Sequence, residues 1–212
     1  MHVLWQNPIL RVGLMMAIFA IGATALVSLT ETNTREQIAN NEREALLEAI
    51  KVLVPADKFD NQILQDTLTL PPTPAIGTTE PSTVYRARQN GKPSAAVFTV
   101  IAPDGYSGSI SMLVGINYDG TLAGVRVISH KETPGLGDKI EAKRNDWILQ
   151  FEGLSLNNPE KSEWKVKKDG GHFDQFTGAT ITPRAIVNAL REALVYFKNN
   201  RDKLFAKVED KP

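Results

Sequence analysis

The longest apolar stretch of the chain lies near its N-terminus. Residues 12–29 contain no charged side chain, and Ile9 and Leu10 extend the apolar run around Arg11. A helical run of this length is about enough to cross the hydrocarbon core of a bilayer. The pattern therefore predicts a membrane-spanning helix.

A cleaved signal peptide is the rival interpretation of this stretch. Residues 23–25, Ala-Thr-Ala, have the small-residue spacing of a cleavage site, and cleavage there would leave a mature N-terminus near Leu26. Retention is favoured because apolar residues continue past that site to Leu29, beyond a typical signal sequence. Arg11 precedes the run and Glu31 follows it, so the positive-inside bias places the N-terminus in the cytoplasm and the rest of the chain outside.

Two further segments precede the globular part of the chain. Residues 31–54 carry a loose apolar stripe at helical spacing among good helix formers, and Pro55 should end this helix, which we interpret as a stalk or docking helix. Residues 71–81 contain four prolines and show no periodicity. They predict an extended connector over the surface.

The middle of the chain alternates β-branched and apolar runs with turn residues. The runs lie at 84–87, 95–102, 109–118 and 122–129. Asp-Gly at 119–120 is a strong hairpin signal, because this pair readily takes the positive φ angles of a tight turn. The pattern predicts an antiparallel sheet, followed by a short helix at 138–151 and a short strand at 164–166. The residues expected to face inward from that helix are Ile140, Trp147, Ile148 and Phe151, and Trp164 is also expected in the core.

A second amphipathic helix is predicted after the sheet. Thr182 and Pro183 form a good helix start, because threonine caps free N–H groups and proline suits the first helical position. Apolar residues then recur at spacings of three and four: Ile186, Leu190, Ala193, Leu194 and Phe197. Beyond Arg201 the charged tail is expected to fray. These elements together predict an α+β fold, with an anchor at 1–30, a helical stalk and connector at 31–82, a globular domain at 83–200 and a charged tail at 201–212.

Composition excludes several classes of function. The chain has 24 basic and 24 acidic residues, without the basic face that nucleic-acid binding requires. It has no cysteine, which excludes disulfides, thiolate metal sites, cysteine nucleophiles and ordinary iron–sulfur ligation. His130 and His172 have no second ligand at metal spacing, so no metal site is expected. Redox chemistry in this chain would therefore need a cofactor held in another way.

The segment before the second helix is the first candidate site. Residues 174–183, DQFTGATITP, deliver Thr180 to the predicted helix N-terminus, where free N–H groups and partial positive charge favour a phosphate. Gly178 and Ala179 would let a ligand approach the backbone. Lys167 and Lys168 would be able to pair with such a phosphate. A simple helix cap and solvated lysines are the commoner interpretations of these features.

A second candidate loop, HKETPGLGD at 130–138, follows the predicted hairpin. Its glycines and proline form a shaped turn that a planar ligand would approach closely, although a plain connecting loop has the same composition.

Three motifs, taken in order along the chain, are more specific than any one of them. They are DGYSG at 104–108, HxETPGLG at 130–137 and DxxTGAT at 174–180. With them the chain resembles the FMN-binding domain family. Over nearly its whole length it is also similar to the G-subunit family of the bacterial Rnf (Rsx) ion-translocating ferredoxin:NAD oxidoreductase complexes, which is related to the C subunit of sodium-pumping NADH:quinone oxidoreductase.

This resemblance implies a covalent cofactor. In the family, FMN is joined through its phosphate to the last threonine of the motif, here Thr180, and Asp174 is the motif acid. A threonine hydroxyl is a weak nucleophile, so attachment should need a separate flavin transferase. The cofactor-binding residues expected from the resemblance are Thr180, Thr177, Gly178, Ala179, Asp174, Glu132, Thr133, Leu136 and Gly137, and no catalytic residue is expected.

The resemblance also implies an assembly and a location. The chain would be a single-pass flavoprotein subunit of the bacterial inner membrane, with its main domain, the FMN-binding domain at 83–200, in the periplasm. It would relay electrons among the other membrane subunits and catalyse no complete reaction alone. A membrane-tethered binding or assembly module without cofactor is the alternative, and a secreted carrier is expected if the first segment is cleaved.

Overall fold

The computed structural model describes residues 8–206 of the chain. Its N-terminal part is one helix. Helix α1 (Pro8–Leu53) joins the apolar stretch and the expected stalk without a break. It is long and apolar enough to cross a membrane, and it ends before Pro55 as predicted. Contacts divide the chain into two compact units, with the boundary between Glu48 and Ala49. Residues 1–7 of the predicted anchor and 207–212 of the predicted tail lie outside the described residues.

The second unit is built on a five-stranded antiparallel sheet. Its strands follow each other in space in chain order. They are β1 (Thr67–Leu70), β2 (Ser82–Gln89), β3 (Lys92–Ala102), β4 (Ile110–Asn117) and β5 (Leu122–Ser129). Four of these strands match the predicted runs, and β1 was not predicted. With helix α2 (Ile181–Phe205), the sheet confirms the predicted α+β class.

Glycine turns connect the central strands. Asn90 and Gly91 both have positive φ, 51° and 73°, which is the conformation that joins β2 to β3. Gly120 has a φ of 91° in the turn between β4 and β5, where the sequence predicts a hairpin. That hairpin is confirmed.

One face of the sheet packs against α2 and an aromatic cluster. The buried face of α2 is the predicted one, including Ile186, Leu190 and Phe197. The aromatic cluster consists of Trp147, Phe151, Trp164, Phe173 and Phe176, whose rings contact one another at centroid distances of 4.9–6.2 Å. Both tryptophans are buried in this core, as the sequence favours.

The segment between the sheet and α2 differs from the prediction. One short helix was expected at 138–151, but the chain forms two separate 3₁₀ helices, Gly137–Ile140 and Asp146–Phe151. The side chain of Asn145 accepts a hydrogen bond from the Trp147 N–H at 2.9 Å, which starts the second piece separately. The residues expected to face inward are nevertheless buried, because the short 3₁₀ turns also direct them into the core. They are Ile140, Trp147, Ile148 and Phe151. The strand expected at 164–166 is reduced to one bridge between Val166 and Phe173.

The opposite face of the sheet holds the end of α1. Gly115 and Gly124 are paired on neighbouring strands, and neither has a side chain. A Cβ at Gly124 would lie 3.1 Å from Leu53 Cδ2, and one at Gly115 would lie 3.3 Å from Leu53 Cβ. These glycines therefore leave room on the sheet for the end of α1, where Ile50, Leu53 and the following Val54 are fully buried.

The proline-rich segment packs on the sheet, although the sequence predicts a surface connector. It contains a 3₁₀ helix, Pro74–Ile76, whose Ile76 is 1% exposed. Gly77 follows with a φ of 76°, and a Cβ there would lie 2.1 Å from the Ile101 carbonyl oxygen on β3. The prolines set the backbone direction here, while one isoleucine and one glycine fix the segment to the core.

Gly77→Ala should destabilise the protein by about 2 kcal/mol more than Gly91→Ala. Both residues have positive φ, so both variants pay the left-handed conformational cost of about 1 kcal/mol. Only a Cβ at Gly77 would also clash with the backbone of β3, since nothing lies within 4 Å of a Cβ at Gly91. Chemical denaturation measures the difference, and equal destabilisation would contradict the packing of this segment on β3.

The C-terminal end of α2 is held in place. The tail beyond Arg201 was expected to fray, but α2 continues to Phe205, and Leu204 and Phe205 are buried. Buried Arg86 donates to the Ala206 carbonyl at 2.7 Å and pairs with Asp66 at 2.5 Å. The apolar pair and the arginine anchor this end, which the charged composition of the tail does not indicate.

Candidate functional site

A cleft of about 550 Å³ opens at the N-terminus of α2. Three separate loops and the first turn of the helix form it. Its lining residues are Tyr106, Glu132, Thr133, Leu136, Gly137, Lys168, Gly178, Ala179, Thr180, Ile181 and Thr182. A cleft of this size lies in the range of small-molecule sites.

The cleft brings together seven of the nine residues expected at the site: Glu132, Thr133, Leu136, Gly137, Gly178, Ala179 and Thr180. Asp174 and Thr177 are exposed and do not line it. The Asp174 carboxylate instead pairs with the Lys167 ammonium at 2.7 Å, and its backbone carbonyl accepts the Trp147 indole N–H at 2.8 Å. These contacts hold the loop that carries Thr177 and Thr180 against the aromatic core.

Glu132 is a buried carboxylate that joins the three loops. It is 5% exposed. One carboxylate oxygen accepts the Ser107 N–H at 3.0 Å, and the other accepts the Thr182 hydroxyl. A buried charge requires such partners, because desolvation otherwise costs several kcal/mol. The single side chain therefore ties the 104–108 turn and the start of α2 to its own loop.

Two glycines make room for this carboxylate. A Cβ on Gly137 would lie 2.7 Å from Glu132 Oε2, and a Cβ on Gly105 would lie 3.0 Å from Glu132 Oε1 and 2.2 Å from the Gly108 carbonyl oxygen. Neither space accepts a side chain. Close packing around Glu132 therefore explains one glycine in each of the first two motifs, Gly105 and Gly137.

The His130 side chain holds the loop that carries Glu132. The Glu132 N–H donates to His130 Nδ1 at 3.0 Å, so the ring proton lies on Nε2, which donates to Glu141 at 3.0 Å. The hydrogen bond from His130 lowers the pKa of Glu141, with a further contribution from the charge of Arg144. His130 thus has a structural role at this loop.

The three threonines near the start of α2 have different surroundings. Thr177 is exposed outside the cleft. Thr182 is fully buried, with its hydroxyl bonded to Glu132. Thr180 lines the cleft at the N-cap of α2, and within residues 8–206 its hydroxyl makes no hydrogen bond. Of these three threonines, Thr180 is the one that lines the cleft with a hydroxyl free of a hydrogen bond among the described residues, and Thr133 lines the cleft from another loop.

The start of α2 differs from the prediction by two residues. Thr182 was expected to cap a helix beginning at Pro183, but the helix begins at Ile181, and Thr182 lies inside it. The reason is the buried carboxylate of Glu132, which takes the Thr182 hydroxyl that would otherwise cap the helix. Proline is tolerated in the first turn because its missing N–H has no helical partner there.

An exposed ion pair fixes the loop beside the cleft to the same helix turn. Arg184 donates to both carboxylate oxygens of Asp169, at 2.6 and 2.8 Å. This hydrogen bonding lowers the pKa of Asp169. Lys168, next in the chain, lines the cleft and makes no ion pair within the described part of the chain.

This ion pair should make stability depend on pH in the acid range. A carboxyl whose pKa is lower in the folded state stabilises the protein above its ordinary pKa of 3.8, and that stabilisation is lost as the pH falls through the folded value. The effect should be small because both side chains are about one-third exposed. Denaturation midpoints measured from pH 6 to about 2.5 should fall less steeply in Asp169→Asn than in the parent. Identical slopes would contradict the contribution of the pair.

Tyr106, Ile181 and Thr182 line the cleft although they were not among the expected site residues, and Lys168 was expected only as a partner for a phosphate. Tyr106 lies in a recognised motif, and Lys168 was considered as a phosphate partner, so signals existed for both. For Ile181 and Thr182 the helix-start pattern suggested only local roles. Their proximity to the cleft follows from long-range contacts that spacing along the chain does not reveal.

The cleft combines two chemical surfaces. Tyr106, Leu136 and Ile181 are exposed apolar side chains, with relative exposures of 67%, 45% and 43%. The second surface is polar and positively charged, and it favours an anion. It consists of the N-terminus of α2, the Thr180 hydroxyl and the Lys168 ammonium. This combination suits a ligand with a flat apolar part and a phosphate.

Two family models and several named relatives match this chain. The family described as FMN-binding domain matches residues 105–195, and the RnfG N-terminal region matches residues 1–53. A Vibrio atlanticus protein, named as the G subunit of the ion-translocating oxidoreductase complex, is 46% identical over 94% of this chain and 95% of its own. Proteins of the same name from Pseudomonas aeruginosa and Shewanella baltica are 45% and 43% identical, over 96% and 95% of this chain and 95% of their own lengths.

Proposed function

The chain belongs to the G-subunit family of the ion-translocating oxidoreductase complexes, and on this basis we propose that it is an electron-carrying flavoprotein subunit with FMN bound covalently to Thr180. The family resemblance of the three motifs is thereby confirmed. The covalent bond and its position are the parts that need a test.

The observation that carries the proposal is the state of the Thr180 hydroxyl. It faces the cleft at a helix N-terminus and has no hydrogen-bond partner among the described residues, whereas the hydroxyl of Thr182 is already bonded to Glu132. A phosphoester at Thr180 would place the phosphate where helix N–H groups and the helix dipole stabilise negative charge.

The other lining residues fit FMN as well. The exposed apolar side chains of Tyr106, Leu136 and Ile181 offer a surface for the isoalloxazine ring. Gly178 has a φ of 81°, and the Cβ that it lacks would come within 3.8 Å of Leu136 Cδ2. The glycine therefore permits the attachment loop to turn beside the apolar surface without filling the cleft.

Attachment requires a second protein and an activated donor. The Thr180 oxygen would form a bond to the flavin phosphorus, lose its proton and displace the group bound there. A flavin dinucleotide supplies such a leaving group as AMP, so the net gain is one FMN less one water. No general base lies in hydrogen-bond contact with Thr180 in the described residues, which is consistent with an external flavin transferase supplying the base and metal.

The bound cofactor would supply one- and two-electron transfer. The chain would fix its position, so that the distance to neighbouring carriers is set by the fold. Helix α1 fits a single-pass anchor, with the N-terminus in the cytoplasm and the domain beyond Ala49 in the periplasm of a bacterial inner membrane. The partners would be the other membrane subunits of the complex.

The experiment is denaturing gel electrophoresis of the full chain, expressed with and without a flavin transferase. Flavin fluorescence should stay with the protein band only when the transferase is present. A colourless band despite an active transferase, checked on a known substrate, would favour a membrane-tethered binding or assembly module. Intact mass of the same sample would also reveal a mature N-terminus near Leu26 if the first segment were cleaved.

A further inference from the structure

Lys168 is a charged residue of the cleft whose function the fold leaves open. It lies at a corner around the carboxylate of Asp169 that also contains Lys165, Lys167 and Arg184. Lys167 is paired with Asp174, and Arg184 is paired with Asp169. Lys168 and Lys165 have no ion pair in the described part of the chain, and of these two only Lys168 lines the cleft.

The backbone of Lys168 is held in position. It lies in a 3₁₀ turn, Lys167–Asp169, and its N–H donates to the Gln175 side chain at 3.2 Å. The next residue, Asp169, is bonded by both oxygens to Arg184, which lies in the first turn of α2, where its own N–H contacts the Thr180 carbonyl. Two fixed points therefore hold the lysine beside the helix end that carries Thr180.

The charges at this corner favour an anion in the cleft. Both oxygens of Asp169 are bonded to Arg184, so Lys168 interacts with this carboxylate only at longer range. The helix N-terminus adds partial positive charge. A phosphodiester carries one negative charge and two free oxygens, and an ammonium is a suitable point-charge partner for it.

We infer that Lys168 binds the phosphate of the flavin at Thr180, both during attachment and in the finished protein. This inference rests on the proposed function. It adds a phosphate-binding residue from a loop outside the attachment motif. It assigns this role to Lys168 and not to Lys167, because Lys167 is already ion-paired with Asp174.

The test compares the full chain with Lys168→Gln, Lys168→Arg and the control Lys165→Gln, each expressed with the transferase. The control removes an exposed, unpaired lysine from the same corner, outside the cleft. Initial loading, measured by intact mass, should be about tenfold slower in Lys168→Gln, the order of one charge-assisted hydrogen bond. Loading of the control should equal that of the parent, and Lys168→Arg should recover most of the rate.

Phosphorus NMR of the loaded proteins gives a readout that does not depend on activity. The phosphodiester resonance should move in Lys168→Gln and stay in place in Lys165→Gln. Parent-like loading and resonance in Lys168→Gln, or equal changes in both glutamine variants, would overturn the inference while leaving the flavin at Thr180 intact. If Lys168→Gln takes up no flavin, recovery by Lys168→Arg supports the inference, and failure to recover overturns it. A parent protein without flavin would instead reject the proposed function.

Discussion

Thr180→Ala should abolish covalent flavin while leaving the fold unchanged. The alanine removes the oxygen that would form the phosphoester at the start of α2. The other hydroxyls of the cleft lining lie elsewhere, because Thr133 and Tyr106 are on other loops and Thr182 is bonded to Glu132. The Thr180 side chain makes no hydrogen bond, so the free energy of unfolding should change by less than about 1 kcal/mol. Intact mass and thermal unfolding measure the two effects.

Thr79→Ala is the matched control for this variant. Thr79 is an exposed threonine away from the cleft, so its removal should leave the flavin content at the parent level. Flavin retained by Thr180→Ala would contradict attachment at this residue. Loss of both flavin and stability would show that Thr180 also has a structural role.

Glu132→Ala should destabilise the domain by about 3 kcal/mol and also reduce flavin loading. The change leaves the Ser107 N–H and the buried Thr182 hydroxyl without partners and opens a cavity under the attachment loop. Because Glu132 ties three loops together, the effect should reach the cleft as well as the core. Denaturant unfolding of the parent and variant measures the loss of stability.

Glu132→Gln separates the charge of Glu132 from its shape, and Glu141→Ala is a control at a neighbouring carboxylate. Glu132→Gln keeps one acceptor and nearly the same volume, so its cost should be about 1 kcal/mol. Glu141→Ala removes a carboxylate that also bonds His130, but it lies outside the cleft and is more exposed, and it should leave loading unchanged. If Glu132→Ala were as stable as Glu141→Ala, Glu132 would not be the link between the loops.

The elements that the sequence predicts well depend on local patterns. The hairpin at Asp119-Gly120, the four longer strands and the buried face of α2 follow from turn chemistry and from periodicity over several residues. These features are encoded within short windows of the chain. The expected site residues came instead from the family resemblance of three motifs, and seven of those nine residues line one cleft.

The features that differ from prediction depend on distant partners. Strand β1 is four residues long and pairs with β2 across the proline-rich segment, so no local run indicates it. The start of α2 is set by a carboxylate 50 positions away, Glu132, and its end is fixed by Arg86, 120 positions away. The 138–151 segment satisfies its burial with 3₁₀ turns, which the same apolar spacing does not distinguish from an α-helix.

The most direct measurement of the central claim is the position of the flavin within one peptide. Trypsin cleavage after Lys168 and Arg184 releases residues 169–184, which contain Thr177, Thr180 and Thr182 together. Fragmentation of this peptide from the transferase-loaded protein should place the mass of FMN less water on Thr180 alone. The same mass on Thr177 or Thr182, or an unmodified peptide from a protein that has met an active transferase, would contradict the claim.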